Sequence, residues 1–100
     1  MHFTTVREIA RTSARSVCSI TFARRETAVS IVRDERGAEY IRVAERIATE
    51  GVNDRPEIHE TDLCYPLPNG ASGVTEENYA QFTADAEHAV VLRDTWRIGK

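Results

Sequence analysis

The sequence predicts an α+β fold: a small, mainly antiparallel sheet of about three strands, packed by two or three helices in a single domain. Two observations favour this class. Apolar residues recur at helical spacing in three segments, and they alternate with other residues in three further segments. A chain of 100 residues suits one domain with one modest core. We therefore predict a single α+β domain over residues 1–100, with a long loop at about 52–74.

The first predicted element is a helix from about Thr5 to Ser16. Thr5 and Glu8 have the spacing of a capping box, in which each side chain satisfies an amide at the start of a helix. The residues on its expected buried face are Val6, Ile9, Ala10, Ser13 and Val17.

Two β-rich segments follow this helix. Cys18, Ile20 and Phe22 alternate with smaller residues in SVCSITFA, which is strand periodicity. Val29 and Ile31 alternate in the same way in TAVSIVR. Because only residues 24–26 separate the two segments, we expect them to pair as an antiparallel hairpin. Residues 34–37, Asp-Glu-Arg-Gly, then predict a turn.

Residues 38–49 favour a second helix, with apolar residues gathered on one side and opposite charges on the other. Gly51 is placed where a carboxyl-terminal cap is needed. A competing interpretation makes EYIRV a third strand, paired with TAVSIVR.

The remaining segments are a loop, a helix and a strand. Residues 52–73 show no clear periodicity and contain prolines at 56, 66 and 68, which is typical of a binding loop or a disordered one. An alternative within this loop is a short extended piece near Leu63–Leu67 that joins a sheet edge, where proline is tolerated. A third helix is predicted from Thr75 to about Ala89, with the Thr75 hydroxyl as its cap. VVLRDTWRIG predicts a closing strand, in which Leu92, Trp96 and Ile98 share one face and Asp94 interrupts the apolar pattern on that face.

No constellation of residues indicates catalysis, a cofactor or a metal. Four potential ligands lie close together: His59, Glu60, Asp62 and Cys64. A structural zinc site needs paired Cys or His ligands twice over, and here there is one half-motif at most. Cys64 and His59 alone do not make a nucleophile and its base. We therefore predict that the protein is not an enzyme and uses no cofactor or metal.

Charge and hydropathy narrow the class of partner. The net charge is −3, and residues 1–25 carry five Arg and one Glu, whereas the rest of the chain carries eight basic and 15 acidic residues. This balance disfavours direct nucleic-acid binding. No apolar run approaches the roughly 18 residues of a membrane span, and the start lacks an apolar signal core. We expect a protein in the cytoplasm that binds another protein and does not contact the membrane.

Two groups of charged residues are candidates for that contact. Three arginines recur every four residues along the first predicted helix, and acidic residues concentrate in the predicted loop beside aliphatic and aromatic side chains. Such a mixture suits a protein interface better than a spacer. The predicted partner-binding residues are Arg7, Arg11, Arg15, Asp54, Glu57, Glu60, Asp62 and Tyr65.

In overall character, and in the stretches FTTVREIARTSARSVCSI and NDRPEIHETDLCY, the chain resembles the small anti-CRISPR proteins of bacterial phages and mobile elements. The resemblance implies stoichiometric binding to a CRISPR surveillance complex or nuclease in a bacterial host cell, which blocks target DNA binding. One alternative is a small homodimeric regulatory or structural subunit that associates through an exposed sheet edge. Another is a small enzyme or metal-binding protein.

Overall fold

The computed structural model describes residues 2–18, 21–51 and 55–98. These residues form a five-stranded antiparallel sheet, in which each strand pairs with its neighbour in the sequence. The strands are β1 (Phe3–Cys18), β2 (Thr21–Asp34), β3 (Glu39–Gly51), β4 (Glu57–Pro66) and β5 (Val90–Ile98). Between β4 and β5 lie the four-residue helix α1 (Tyr79–Phe82) and a 3₁₀ turn at Ala86–His88.

The predicted α+β fold is wrong, because two of the three predicted helices are long strands. Residues 5–16 belong to β1, and residues 39–49 belong to β3. The apolar spacings that suggested helices include steps of three and four residues, and a step of four also fits the two-residue strand period. Both segments are strands rather than helices because they pair with β2, β1 on one side and β3 on the other. Val29 of β2, for example, has the cross-strand neighbours Ala10 and Val43.

Several predicted boundaries are wrong for the same reason. Residues 24–26, expected to separate two strands, lie inside β2, where Glu26 pairs with Ser13 and Arg46. The middle of the loop predicted at about 52–74 is β4, and the third predicted helix shrinks to α1 and the 3₁₀ turn. The competing interpretation of EYIRV as a strand is confirmed by the pairing of Val43 with Val29. The closing strand is confirmed as β5.

The predicted turn at residues 34–37 is also confirmed. The Asp34 carboxylate accepts hydrogen bonds from the amides of Arg36 and Ala38, both at 2.9 Å. Burial acts to raise the pKa of Asp34, but these bonds and one from the Tyr40 hydroxyl hold it below its ordinary value. Gly37 has a φ of 86°, in the left-handed region that favours glycine. The turn thereby sets the register of β2 and β3, which pair without a register shift.

The sheet has two faces, because successive residues of a strand point to opposite sides. The inner face carries Ile31, Ile41 and Tyr65, which pair with one another across β2, β3 and β4. The outer face carries Arg42 and Cys64, which pair across β3 and β4.

The core occupies one end of the inner face. Leu67–Ala89, termed the covering segment, folds over this end and contributes buried apolar side chains to it. The Leu67 amide donates a hydrogen bond to the Glu39 carbonyl oxygen at 2.9 Å, and the Ala71 amide donates to the Glu39 carboxylate at 3.0 Å. The core residues are Ile9, Ala10, Val29, Ile31, Ile41, Tyr65, Leu67, Ala71 and Val74.

Two register shifts interrupt the pairing of β1 with β2 before Ala10. Shifts of this kind mark β-bulges, which insert a residue into one strand and change the face on which its neighbours lie. Arg7 is opposite Ile31 on the inner face, whereas Arg11 is opposite Ala28 on the outer face. The bulges therefore divide the arginines of β1 between the two faces of the sheet.

Candidate functional site

Beyond the core, the inner face continues toward the far end of the sheet. One row of paired residues crosses all five strands there: Ala14, Arg25, Ile47, His59 and Trp96. The next row outward is Ser16, Ala23, Thr49, Glu57 and Ile98. These two rows are termed the open face. In the part of the chain that the structure describes, none of these ten residues belongs to the core.

The open face is most apolar and most exposed on β5. Trp96 is 67% exposed and Ile98 is 59% exposed. The Trp96 indole stacks on the His59 imidazole, with ring centroids 3.9 Å apart and 12° between the ring planes. His59 Nε2 lies 2.9 Å from a carboxylate oxygen of Asp94, so this contact holds the imidazole beneath the indole. Trp96 is thus a supported apolar projection with a large contact area.

The opposite side of the open face is concave. Except for Arg25, the open-face residues of β1 and β2 are small, and they border a depression of about 310 Å³ whose lining includes Ala14, Ala23 and Ile47. Arg25 also lines the depression, and its guanidinium is 3.9 Å from the carboxylate of Glu45. The Arg25 side chain is 60% exposed, so this long ion pair holds it only weakly.

The outer face carries alternating charges that neutralise one another. Arg42 donates hydrogen bonds of 2.8 and 2.5 Å to the two carboxylate oxygens of Asp62, and this bonding raises the pKa of Arg42. Glu60 lies 3.5 Å from Arg93 and 2.9 Å from Arg97. Because Asp62 and Glu60 each have an arginine beside them, this part of the outer face attracts a charged partner less than its charged residues suggest.

The acidic residues predicted to bind a partner do not form one surface. Glu60 and Asp62 lie in ion pairs on the outer face, whereas Glu57 belongs to the open face. Tyr65 is buried in the core. Asp54 lies outside the described residues. These residues separate because β4 is a strand, which sends alternate side chains to opposite faces.

The three arginines predicted to form one stripe also have different environments. Arg7 Nη2 donates hydrogen bonds of 2.9 and 3.0 Å to two carbonyl oxygens of the covering segment. Arg11 lies on the outer face in a 2.7 Å ion pair with Glu8. Arg15 lies over the Phe22 ring, 5.7 Å from its centroid. Arg7 therefore anchors the core cover, and the three do not act as one contact strip.

Cys64 and His59 are placed too far apart to act as nucleophile and base. They lie on opposite faces of β4, roughly 16 Å apart along the strand. Cys64 is fully buried, and burial raises the pKa of its thiol to about 11. At neutral pH the thiol is therefore protonated and is a poor nucleophile.

Among residues 2–18, 21–51 and 55–98, no three His, Cys, Asp or Glu side chains are grouped closely enough to hold a metal ion. Over the same ranges, neither helical segment has the length and apolarity needed to cross a membrane. The absence of a metal, a cofactor and a catalytic activity stays a prediction.

Sequence reasoning does not find the open face, because its rows combine residues from five strands. The alternation in VVLRDTWRIG does place Trp96 and Ile98 on one strand face. Ala14 and Ile47, by contrast, fall in segments that predict helices. Only the cross-strand register brings these four residues together.

Comparisons of the chain with protein-family models, curated proteins and solved structures find no match. The likeness to anti-CRISPR proteins stays one of overall character, and its α+β component is wrong.

Proposed function

We propose that this protein is non-catalytic and acts by binding another protein through the open face. The observation that carries the proposal is the exposure of Trp96 and Ile98 side by side on one sheet face. The solvated face of an antiparallel sheet ordinarily carries polar side chains. Tryptophan is enriched among the residues that dominate binding energy at protein interfaces.

The arrangement of side chains on the open face also supports a contact role. Its main row has Ile47 at the centre and Trp96 at one end, with Arg25 and Glu57 nearby. Protein interfaces are depleted of charge at their centre and enriched in aromatic residues and arginine. Burying such apolar surface stabilises a complex by roughly 25 cal/mol per Å² before the costs of association.

Two reactive side chains of the described residues, Cys64 and His59, support binding rather than catalysis. Cys64 is buried and protonated, as described above. His59 is held by Asp94, and its partners in the neighbouring strands are Ile47 and Trp96, neither of which is a nucleophile. A histidine and an acid without a nucleophile beside them do not make a hydrolytic site.

The identity of the target has two candidates. Inhibition of a CRISPR surveillance complex, implied by the resemblance, stays a prediction. The acids expected to mediate it, Glu60 and Asp62, are neutralised by arginines on the outer face. A homodimeric regulatory or structural subunit is the second candidate, and it is favoured by the unequal sizes of the side chains on the two sides of the open face.

Matched substitutions on β5 test the proposal. Trp96→Lys places a charge on the open face, whereas Thr95→Lys places the same charge one residue away, on the outer face. Circular dichroism first establishes that both variants keep the sheet. In affinity capture from a bacterial lysate, we expect proteins retained in stoichiometric amounts by the wild type to be lost with Trp96→Lys and kept with Thr95→Lys. Capture that is unaffected by Trp96→Lys, or turnover of any compound abolished by one substitution, contradicts the proposal.

A further inference from the structure

The geometry points to a second copy of this chain as the occupant of the open face, packed face to face about a two-fold axis along the middle of the sheet. This inference rests on the proposed function, because it uses the open face as the contact surface. Three properties of the molecule carry it: the exposed area, the shape of the open face and the distribution of charge.

The molecule exposes more surface than a compact domain of its size. Its accessible surface is 7049 Å², whereas a folded monomer of 11.3 kDa exposes roughly 5,700 Å². The radius of gyration is 15.5 Å, against about 13 Å for a compact chain of this length. This excess belongs to the whole elongated molecule, and the exposed side chains of Trp96 and Ile98 are part of it. A second copy packed on the open face would cover both side chains.

The two sides of the open face have complementary shapes. Trp96 and Ile98 project from β5, while Ala14 and Ala23 border the depression of about 310 Å³ on the side of β1 and β2. A two-fold rotation about an axis parallel to β3 exchanges these sides, so the Trp96 of each copy meets the depression of the other. The contact then occurs twice, as in an isologous interface. Because the covering segment lies over the core end of the same inner face, the two sheets meet only at the open face and diverge toward the core.

Charge is complementary under the same rotation. Arg25 lies on the small side of the open face, and Glu57 and Asp94 lie on the large side. The rotation brings Arg25 of one copy toward these carboxylates and the Trp96 ring of the other, where a guanidinium is favourably placed. A second copy supplies both complementarities by symmetry, whereas an unrelated partner would have to reproduce each separately.

Sedimentation velocity over a range of protein concentrations tests the dimer. We expect a reversible dimer whose Kd rises at least about tenfold in Trp96→Ala, which removes the projection, and in Ala14→Arg, which fills the depression. Ser13→Arg is the matched control, because Ser13 precedes Ala14 on the outer face and pairs with Glu26. A wild-type chain that stays monomeric at about 0.5 mM overturns the inference. So does a dimer that Ala14→Arg does not weaken.

Disulfide trapping tests the geometry directly. In a Cys18→Ser background, Ala14→Cys and Trp96→Cys are made in separate chains and mixed. Within one copy, β1 and β5 are four strand spacings apart, roughly 19 Å, whereas a disulfide needs Cα atoms within about 7 Å. We expect the mixture to cross-link faster than either variant alone. Faster cross-linking of Trp96→Cys with itself indicates pairing of two β5 edges and overturns the face-to-face dimer.

The two proposals can fail separately. If the wild type is monomeric and its Trp96→Lys variant loses a captured protein, the inference that a second copy occupies the open face is overturned, and the proposed function is supported. A cross-linked dimer that also turns over a substrate overturns the proposed function and leaves the dimer standing.

Discussion

Arg7→Met should destabilise the protein by about 2 kcal/mol. Methionine keeps the apolar stem but removes the guanidinium that donates hydrogen bonds of 2.9 and 3.0 Å to the carbonyl oxygens of Ala71 and Val74. A hydrogen bond from a charged donor contributes about 1.5–3 kcal/mol when it is well buried. Arg7 as a whole is exposed and only its hydrogen bonds are partly buried, so water replaces much of the lost bonding and the total falls to about 2 kcal/mol.

Urea and thermal unfolding, followed by circular dichroism, measure this effect. For a domain of this size, about 2 kcal/mol lowers the melting temperature by roughly 8–16 °C. Arg11→Met is the matched control, because Arg11 lies four residues further along β1 and makes only an exposed ion pair with Glu8. The loss of such a pair costs less than about 1 kcal/mol.

Equal destabilisation by Arg7→Met and Arg11→Met would refute the reasoning. The helical stripe predicted from the sequence treats the two arginines as equivalent, whereas the bulged strand does not. A large effect of Arg11→Met together with a small effect of Arg7→Met would place the register shifts elsewhere in β1.

Three further outcomes test other parts of the fold. In a Cys18→Ser background, Cys64 should react with a thiol reagent more than about a hundredfold slower in the native protein than in denaturant, because its thiol is buried with a pKa of about 11. Hydrogen bonds from an arginine of β2 and an amide of the covering segment hold the pKa of Glu39 below its ordinary value of 4.5, so its stabilising effect is present above that pH and is lost as the pH falls. Glu39→Gln should therefore lower the urea midpoint at about pH 7 but not at about pH 3, and equal shifts at both would contradict this assignment. Gly37→Ala should cost about 1–2 kcal/mol of stability because φ is 86°, whereas Gly73→Ala, with open space and no such φ, should cost far less.

The features that could be predicted from the sequence have local signals. Residues 34–37 combine an acid that binds nearby amides with a glycine that accepts a positive φ, and both properties belong to the residues themselves. The closing strand likewise shows its alternation within nine residues. Neither prediction needs information about distant parts of the chain.

The long strands could not be predicted because their local signals also fit helices. Thr5 and Glu8 have the spacing of a capping box, yet both lie in a strand of 16 residues, far longer than the usual five or six. β1 and β3 are stabilised by pairing with β2, which lies between them. The periodicity of a single sequence contains no information about which segments pair. The bulges in β1 also have no local signal in the sequence, so the different roles of Arg7 and Arg11 could not be predicted.

The order of the strands has a consequence for how the molecule reaches its native state. Each strand pairs with its neighbour in the chain, so the sheet can assemble by successive closure of short hairpins, beginning at the tight turn between β2 and β3. The hydrogen bonds from Arg7 to the covering segment join residues 64 and 67 positions apart, and they require a much larger loop to close. The sheet should therefore form before the covering segment packs on the core. The partly folded molecule would then expose its entire inner face to solvent.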